Sequence, residues 1–109
     1  MVELNEKEWN NLYKSSPNSV LIDVRTLDEY NSMCIEDSTN IDIQTPNEFL
    51  EKVNKIDKNK KIFVYCHSGA RSYNACKILE QFGFKNVYNL IGGISEWSGK
   101  VISKDGSYI

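Results

Sequence analysis

Two short runs, Val20-Leu21-Ile22-Asp23-Val24 and Lys61-Ile62-Phe63-Val64-Tyr65, are apolar at nearly every position and rich in β-branched residues. A strand with one wet face alternates apolar and polar residues, whereas near-continuous runs suit strands covered on both faces of a parallel sheet. Parallel strands need crossover connections, usually helices, between them. Helix signals fall in those gaps. Asn5 with Glu8 caps a helix reaching about Tyr13, and Thr26-Leu27-Asp28-Glu29 reads as a capping box. Thr45-Pro46-Asn47-Glu48 reads as a second box, with Pro46 at the first helical position. After Tyr65 and a glycine-containing turn, Ala75, Ile78, Leu79 and Phe82 make one apolar stripe that Gly83 ends. A last helical turn starts near Gly93 and takes in Trp97. Ser38 to Ile41 and Asn86 to Leu90 are shorter strand candidates. Strand and helix taking turns predicts an α/β domain around a central, mostly parallel sheet of about five strands.

The 109 residues fit one domain, 1–109. A net charge of -2 offers no nucleic-acid footprint and no attraction to anionic membranes. The first residues, Met1-Val2-Glu3-Leu4-Asn5-Glu6-Lys7, are charged and lead into no long apolar run, which argues against a signal peptide or a membrane span. Three cysteines are too few and too irregular for a disulfide framework, so a reducing, cytoplasmic setting is expected. No long exposed apolar stripe demands a partner, and a monomer is expected. Lys58-Asn59-Lys60-Lys61 is a solvated turn before a strand. Asp105-Gly106, between Val101-Ile102 and Tyr108-Ile109, fits either a tight hairpin or a frayed end.

The chemistry concentrates in Val64-Tyr65-Cys66-His67-Ser68-Gly69-Ala70-Arg71-Ser72. An apolar strand ends, a cysteine follows at once, and a polar loop runs into an amphipathic helix. In open α/β sheets ligands bind beyond the carboxyl ends of the strands, where loops meet helix N-termini. Free N–H groups of the first helical turn carry partial positive charge there. Gly69 lets the backbone curl so that several N–H groups converge. A cysteine in such a cradle has its thiolate stabilised, and Arg71 adds a permanent charge with a planar fork of donors. The reading as a merely structural cysteine fits a polar, glycine-bearing loop poorly.

Cys66-x-x-Gly69-x-Arg71-Ser72 after an apolar strand resembles the active-site loop of the rhodanese family. Leu21-Ile22-Asp23-Val24-Arg25 with Glu29-Tyr30, then Ile35, Asn40 and Ile41, then Gly92-Gly93-Ile94-Ser95-Glu96-Trp97, follow that family's order across a core of about residues 5–97, leaving a short tail. The resemblance implies a rhodanese-like fold with helices on both faces of the sheet. It further implies that Cys66 is catalytic and takes a sulfane sulfur from thiosulfate, glutathione persulfide or a protein persulfide, passing it to a thiol or cyanide. His67, Ser68, Gly69, Ala70, Arg71 and Ser72 would hold the substrate, with Asp23 and Arg25 in support. No cofactor and no metal is expected. The family's Gly-His-Ile-x-Gly-Ala is replaced here by Met33-Cys34-Ile35-Glu36-Asp37-Ser38, and its proline after Asn-Ile by Asp42. These positions read as structural, and Cys34 as space filler rather than as a resolving thiol for Cys66.

Rival readings are weaker. Cysteine phosphatases and arsenate reductases also surround an anion with cysteine and arginine, but the phosphatase loop has five intervening residues, whereas four separate Cys66 from Arg71. His67, the one histidine, sits beside Cys66 on a loop, where adjacent side chains point apart; it reads as loop wall. Cys76 reads as core filler in the helix. Cys34, Cys66, His67 and Cys76 lack the close pairing of a zinc site. A sulfur carrier without turnover, or a binding module of the same fold, remains open beside the enzyme. With Arg71 as the one fixed charge of the loop, affinity for dianionic thiosulfate should be weak.

Overall fold

Side-chain alternation sorts the apolar runs onto the two faces of one sheet. The computed structural model describes residues 1–107. Its strands are β1 (Val2–Leu4), β2 (Ser19–Asp23), β3 (Cys34–Ile35), β4 (Thr39–Asn40), β5 (Lys61–Tyr65), β6 (Asn86–Leu90) and β7 (Val101–Ile102). The helices are α1 (Glu6–Lys14), α2 (Leu27–Ser32), α3 (Pro46–Val53) and α4 (Ala70–Gln81), followed by a 3-10 turn at Ile94–Glu96. Five strands pair in the order β1-β6-β5-β2-β4, all parallel. The central pair runs in register from Ser19 opposite Lys61 to Asp23 opposite Tyr65.

Ile22, Val24, Ile62, Val64, Cys66 and Val87 point to one face, where Phe49 and Val53 of α3 and Ala75, Cys76 and Leu79 of α4 cover them. Leu21, Phe63, Tyr65 and Leu90 point to the other, against Trp9 of α1 and Ile94. Trp9 is fully buried, with its ring edge-on to Phe63 (5.7 Å) and Trp97 (5.6 Å). The expected helices on both faces are therefore present.

Side-chain caps explain the starts of α1 and α2. Glu8 N–H donates to Asn5 Oδ1 at 2.9 Å, and the Thr26–Glu29 box closes from both sides. The box expected at Thr45 does not form. Thr45 Oγ1 instead donates to the Asp42 carbonyl (3.0 Å), and Glu48 faces Lys52; Pro46 starts α3 as expected. Phe82 leaves the expected apolar stripe: the residue caps α4, where the chain turns out, and is 42% exposed. Trp97 likewise ends the 3-10 turn rather than lying within it.

Two strands, β1 and β3, have no counterpart in the sequence reading, and β7, read as one arm of a tail hairpin, finds another partner. β1 forms the sheet edge beside β6, and β3 pairs antiparallel with β7 in a separate two-stranded sheet. The ordered fold thus reaches beyond residues 5–97 at both ends. Val101-Ile102 pairs with Cys34-Ile35, and the second arm of the possible tail hairpin, Tyr108-Ile109, lies outside the described residues. Asp37 adopts φ 72, a left-handed conformation that aspartate tolerates better than most residues, where the family pattern has glycine. Among the described residues no helix is long and apolar enough to cross a membrane.

Candidate active site

Cys66 follows the last residue of β5, at the carboxyl edge of the parallel sheet and just ahead of α4. Its side chain is 1% exposed and lies on the α4 face. Gly69 N–H donates to Cys66 Sγ at 3.1 Å, and Ser72 Oγ lies 3.3 Å from the same sulfur. Ser72 Oγ is also 3.2 Å from the Gly69 carbonyl; with one proton to give, it serves either acceptor, and a thiolate is the stronger. Burial pushes the Cys66 thiol up. Hydrogen bonds from the Ser72 hydroxyl and from the N–H groups of Ser72, Gly69 and Ser68 outweigh it, so the thiol sits below its ordinary value. Burial wins at the other two: the Cys34 thiol is pushed up despite a hydrogen bond with Ser38, and the Cys76 thiol is pushed up as well.

The loop owes its shape to contacts remote in sequence. Gly69, the residue before α4, has φ 108, which turns its N–H back onto Sγ. Its carbonyl accepts from Tyr73 N–H (3.0 Å) and from Asn89 Nδ2 (3.3 Å). On the other side, Ile94 N–H donates to the Cys66 carbonyl and Ser95 N–H to the His67 carbonyl, both at 2.9 Å. Gly93 makes this approach possible: a Cβ there would lie 2.4 Å from the His67 oxygen and 2.5 Å from that of Cys66.

Arg71 does not reach into the cradle unaccompanied. Its guanidinium forks onto Glu29, Nη1 to Oε1 at 2.7 Å and Nη2 to Oε2 at 2.9 Å. His67, Ser68 and Ala70 are exposed along the loop, and Ser72 is buried beneath it. Asp23 and Arg25 form a buried ion pair, Arg25 Nη2 to Asp23 Oδ2 at 2.8 Å. Arg25 Nη2 also donates to the Met33 carbonyl (2.5 Å), and the guanidinium stands 5.8 Å from the Tyr65 ring centre. The pair therefore ties the end of β2 to the turn after α2, on the sheet face away from Cys66. Its link to the loop runs through the strands, where Val24 N–H donates to the Tyr65 carbonyl at 3.1 Å.

Three contributors escaped the sequence reading: Asn89, the contact of Glu29 with Arg71, and the close approach of Gly93. Asn89 is fully buried, and its Nδ2 donates to Glu3 Oε2 (3.1 Å) as well as to Gly69. Both neighbours are acceptors, which fixes the amide orientation; among the described residues Oδ1 has no partner. The available signal was a polar residue inside the apolar strand Val87-Tyr88-Asn89-Leu90.

A parallel sheet with a hydrogen-bonded thiol at its carboxyl edge defines an α/β domain with a candidate nucleophilic cysteine, and comparison with known proteins gives its family. The chain belongs to the rhodanese-like domain family, whose profile matches residues 6–100. A protein named sulfurtransferase from Allochromatium vinosum is 33% identical over 97 residues, covering 88% of this chain and 87% of that protein. A tRNA uridine(34) hydroxylase from Pelagibacter ubique is 35% identical over 94% of this chain, which spans only 34% of that relative's length. The crystal structure of a rhodanese-like domain protein from Staphylococcus aureus superposes with a TM-score of 0.80 at 26% identity, covering 95% of this chain and 99% of that one.

Proposed function

We propose that this chain is a sulfurtransferase that moves sulfane sulfur through a persulfide on Cys66. The observation that supports the reading best is the convergence of donors on Cys66 Sγ, with the thiol held low despite its burial. The Cys66 thiolate attacks the outer sulfur of a donor. A new S–S bond forms, the donor's own bond to that sulfur breaks, and its electron pair leaves with the remnant: sulfite from thiosulfate, a thiolate from a persulfide. Cys66 then carries S–S⁻, whose charge the N–H groups of the 67–72 loop and the N-terminus of α4 offset. An acceptor thiolate or cyanide takes the outer sulfur, and Cys66 departs as the same stabilised thiolate. No separate base is required for either half.

Donor and acceptor are small molecules or the persulfides and thiols of other proteins. A reducing compartment such as the cytoplasm would keep the three cysteines as the free thiols seen here. Intact-mass spectrometry after exposure to glutathione persulfide tests the reading. A gain of one sulfur, reversed by thiol and missing in Cys66→Ser, is expected. No adduct from any sulfane donor would refute it.

A further inference from the structure

We infer that Glu29 selects the sulfur donor by occupying the guanidinium of Arg71, so that the site favours a donor whose reacting end carries one negative charge, as a persulfide does, over dianionic thiosulfate. The inference rests on the sulfur-transfer reading above. Arg71 is the fixed positive charge of the loop, and both of its terminal nitrogens are committed to one carboxylate in the fork geometry that suits guanidinium best. That carboxylate is itself held before any donor arrives. Glu29 Oε1 accepts from Thr26 N–H (3.2 Å) and Thr26 Oγ1 (3.1 Å), which anchors it to the first turn of α2. The hydrogen bonds from Arg71 first, and those from Thr26 after them, hold the Glu29 carboxyl down at about 2 against its partial burial. Glu29 is therefore ionised at neutral pH, and the pair with Arg71 is charged on both sides.

An anion arriving at Cys66 meets the loop N–H groups and the end of α4, together worth about half an elementary charge, and an Arg71 guanidinium whose charge Glu29 already offsets. That suffices for R–S–S⁻ and underserves S–SO₃²⁻. To use the fork of Arg71, thiosulfate must displace a bidentate carboxylate that is already in place; the other three N–H groups of the guanidinium carry a charge that Glu29 already offsets. Both donors balance identically in sulfur: Cys66–S⁻ plus R–S–S⁻ gives Cys66–S–S⁻ plus R–S⁻, and Cys66–S⁻ plus S–SO₃²⁻ gives Cys66–S–S⁻ plus SO₃²⁻. They differ at the leaving remnant, which carries one negative charge as a thiolate and two as sulfite.

The test compares second-order rates of Cys66 persulfidation by thiosulfate and by glutathione persulfide in wild type, Glu29→Gln, Arg71→Met and the double variant. Glutamine keeps an acceptor for the capping box, so α2 retains its start. Glu29→Gln should raise the thiosulfate-to-persulfide rate ratio about tenfold, because the freed guanidinium can form charge-assisted hydrogen bonds with the donor. On the Arg71→Met background the same change should raise it about threefold at most, through screened charge alone. Equal gains on both backgrounds, or none on either, would overturn the inference. A second measurement needs no variant. The wild-type thiosulfate rate should not fall as salt rises from low to physiological strength, and a steep fall would reveal an uncommitted cation and defeat the idea. Failure of both donors to load wild-type Cys66 would instead remove the underlying function.

Discussion

Gly93→Ala is the substitution the active-site loop can least absorb. Gly93 has φ 59 and ψ -160, a region almost closed to side-chain-bearing residues, whose occupation by alanine costs on the order of 1–3 kcal/mol. Its Cβ would also lie 2.4 to 2.6 Å from the His67 oxygen, the Cys66 oxygen and the His67 carbonyl carbon. All three are backbone atoms, so no side chain can swing aside. Relief requires the 91–94 turn and the 66–67 segment to part, which removes the hydrogen bonds from Ile94 and Ser95, each about 1 kcal/mol. The sum is about 3–5 kcal/mol, a large share of the roughly 5–15 kcal/mol expected for a domain this size. Urea denaturation reads the loss, and the pH profile of Cys66 alkylation, with adducts located by peptide mass, reads the loop. The alkylation midpoint should move up, because Gly69 N–H no longer stays aligned on Sγ. Gly106→Ala is the control: φ is also positive, at 80, but nothing lies within 4 Å, so strain alone applies, about 1–2 kcal/mol. If Gly93→Ala proves no more destabilising than Gly106→Ala, the close-approach argument fails.

Ser72→Ala removes a donor to the thiolate, so the alkylation midpoint of Cys66 should rise while the fold persists; an unmoved midpoint would mean the hydroxyl serves only the Gly69 carbonyl. Because the folded Cys66 thiol is depressed below its unfolded value, its ionisation stabilises the fold above the unfolded value, near pH 8.5, and that contribution fades as pH falls through the folded one. Wild type should therefore gain stability relative to Cys66→Ser as pH is raised toward 9, and a constant difference would contradict the lowered thiol. Asn89→Asp places a buried carboxyl against Glu3 and the Gly69 carbonyl, so its protonated form is favoured and stability should drop more at pH 8 than at pH 5, with Glu3→Gln giving partial rescue. Arg25→Met strands the fully buried Asp23 carboxylate and should cost about 3–5 kcal/mol in denaturant titration, whereas a loss below about 1 kcal/mol would show the pair to be dispensable.

Local pattern determined much of this molecule. The runs at 61–65 and 86–90 are strands with the limits their composition suggests, because the β-branched and aromatic residues in them (Ile62, Phe63, Val64, Tyr65, Val87, Tyr88) suit a strand covered on both faces. Asn5 and Thr26 mark helix starts because a cap is a contact of three residues' reach. The position of Cys66 between strand and helix was equally legible, since the turn from one to the other is itself local. Tertiary structure decided what depends on distant partners. β1 has only three residues, too few to show a period, and exists because β6 offers it an open edge. Cys34-Ile35 becomes a strand because Val101-Ile102 lies beside it. Thr45 carries the letters of a capping box, but the turn it sits in gives its hydroxyl to Asp42 instead. The site divides in the same way. Its nucleophile is written in seven consecutive residues, while the atoms that shape and neutralise its surroundings, on Glu29, Asn89 and Gly93, come from 20 to 42 positions away along the chain. Hydrogen bonds and charge act through space at about 3 Å, and only the folded chain sets which residues stand that close.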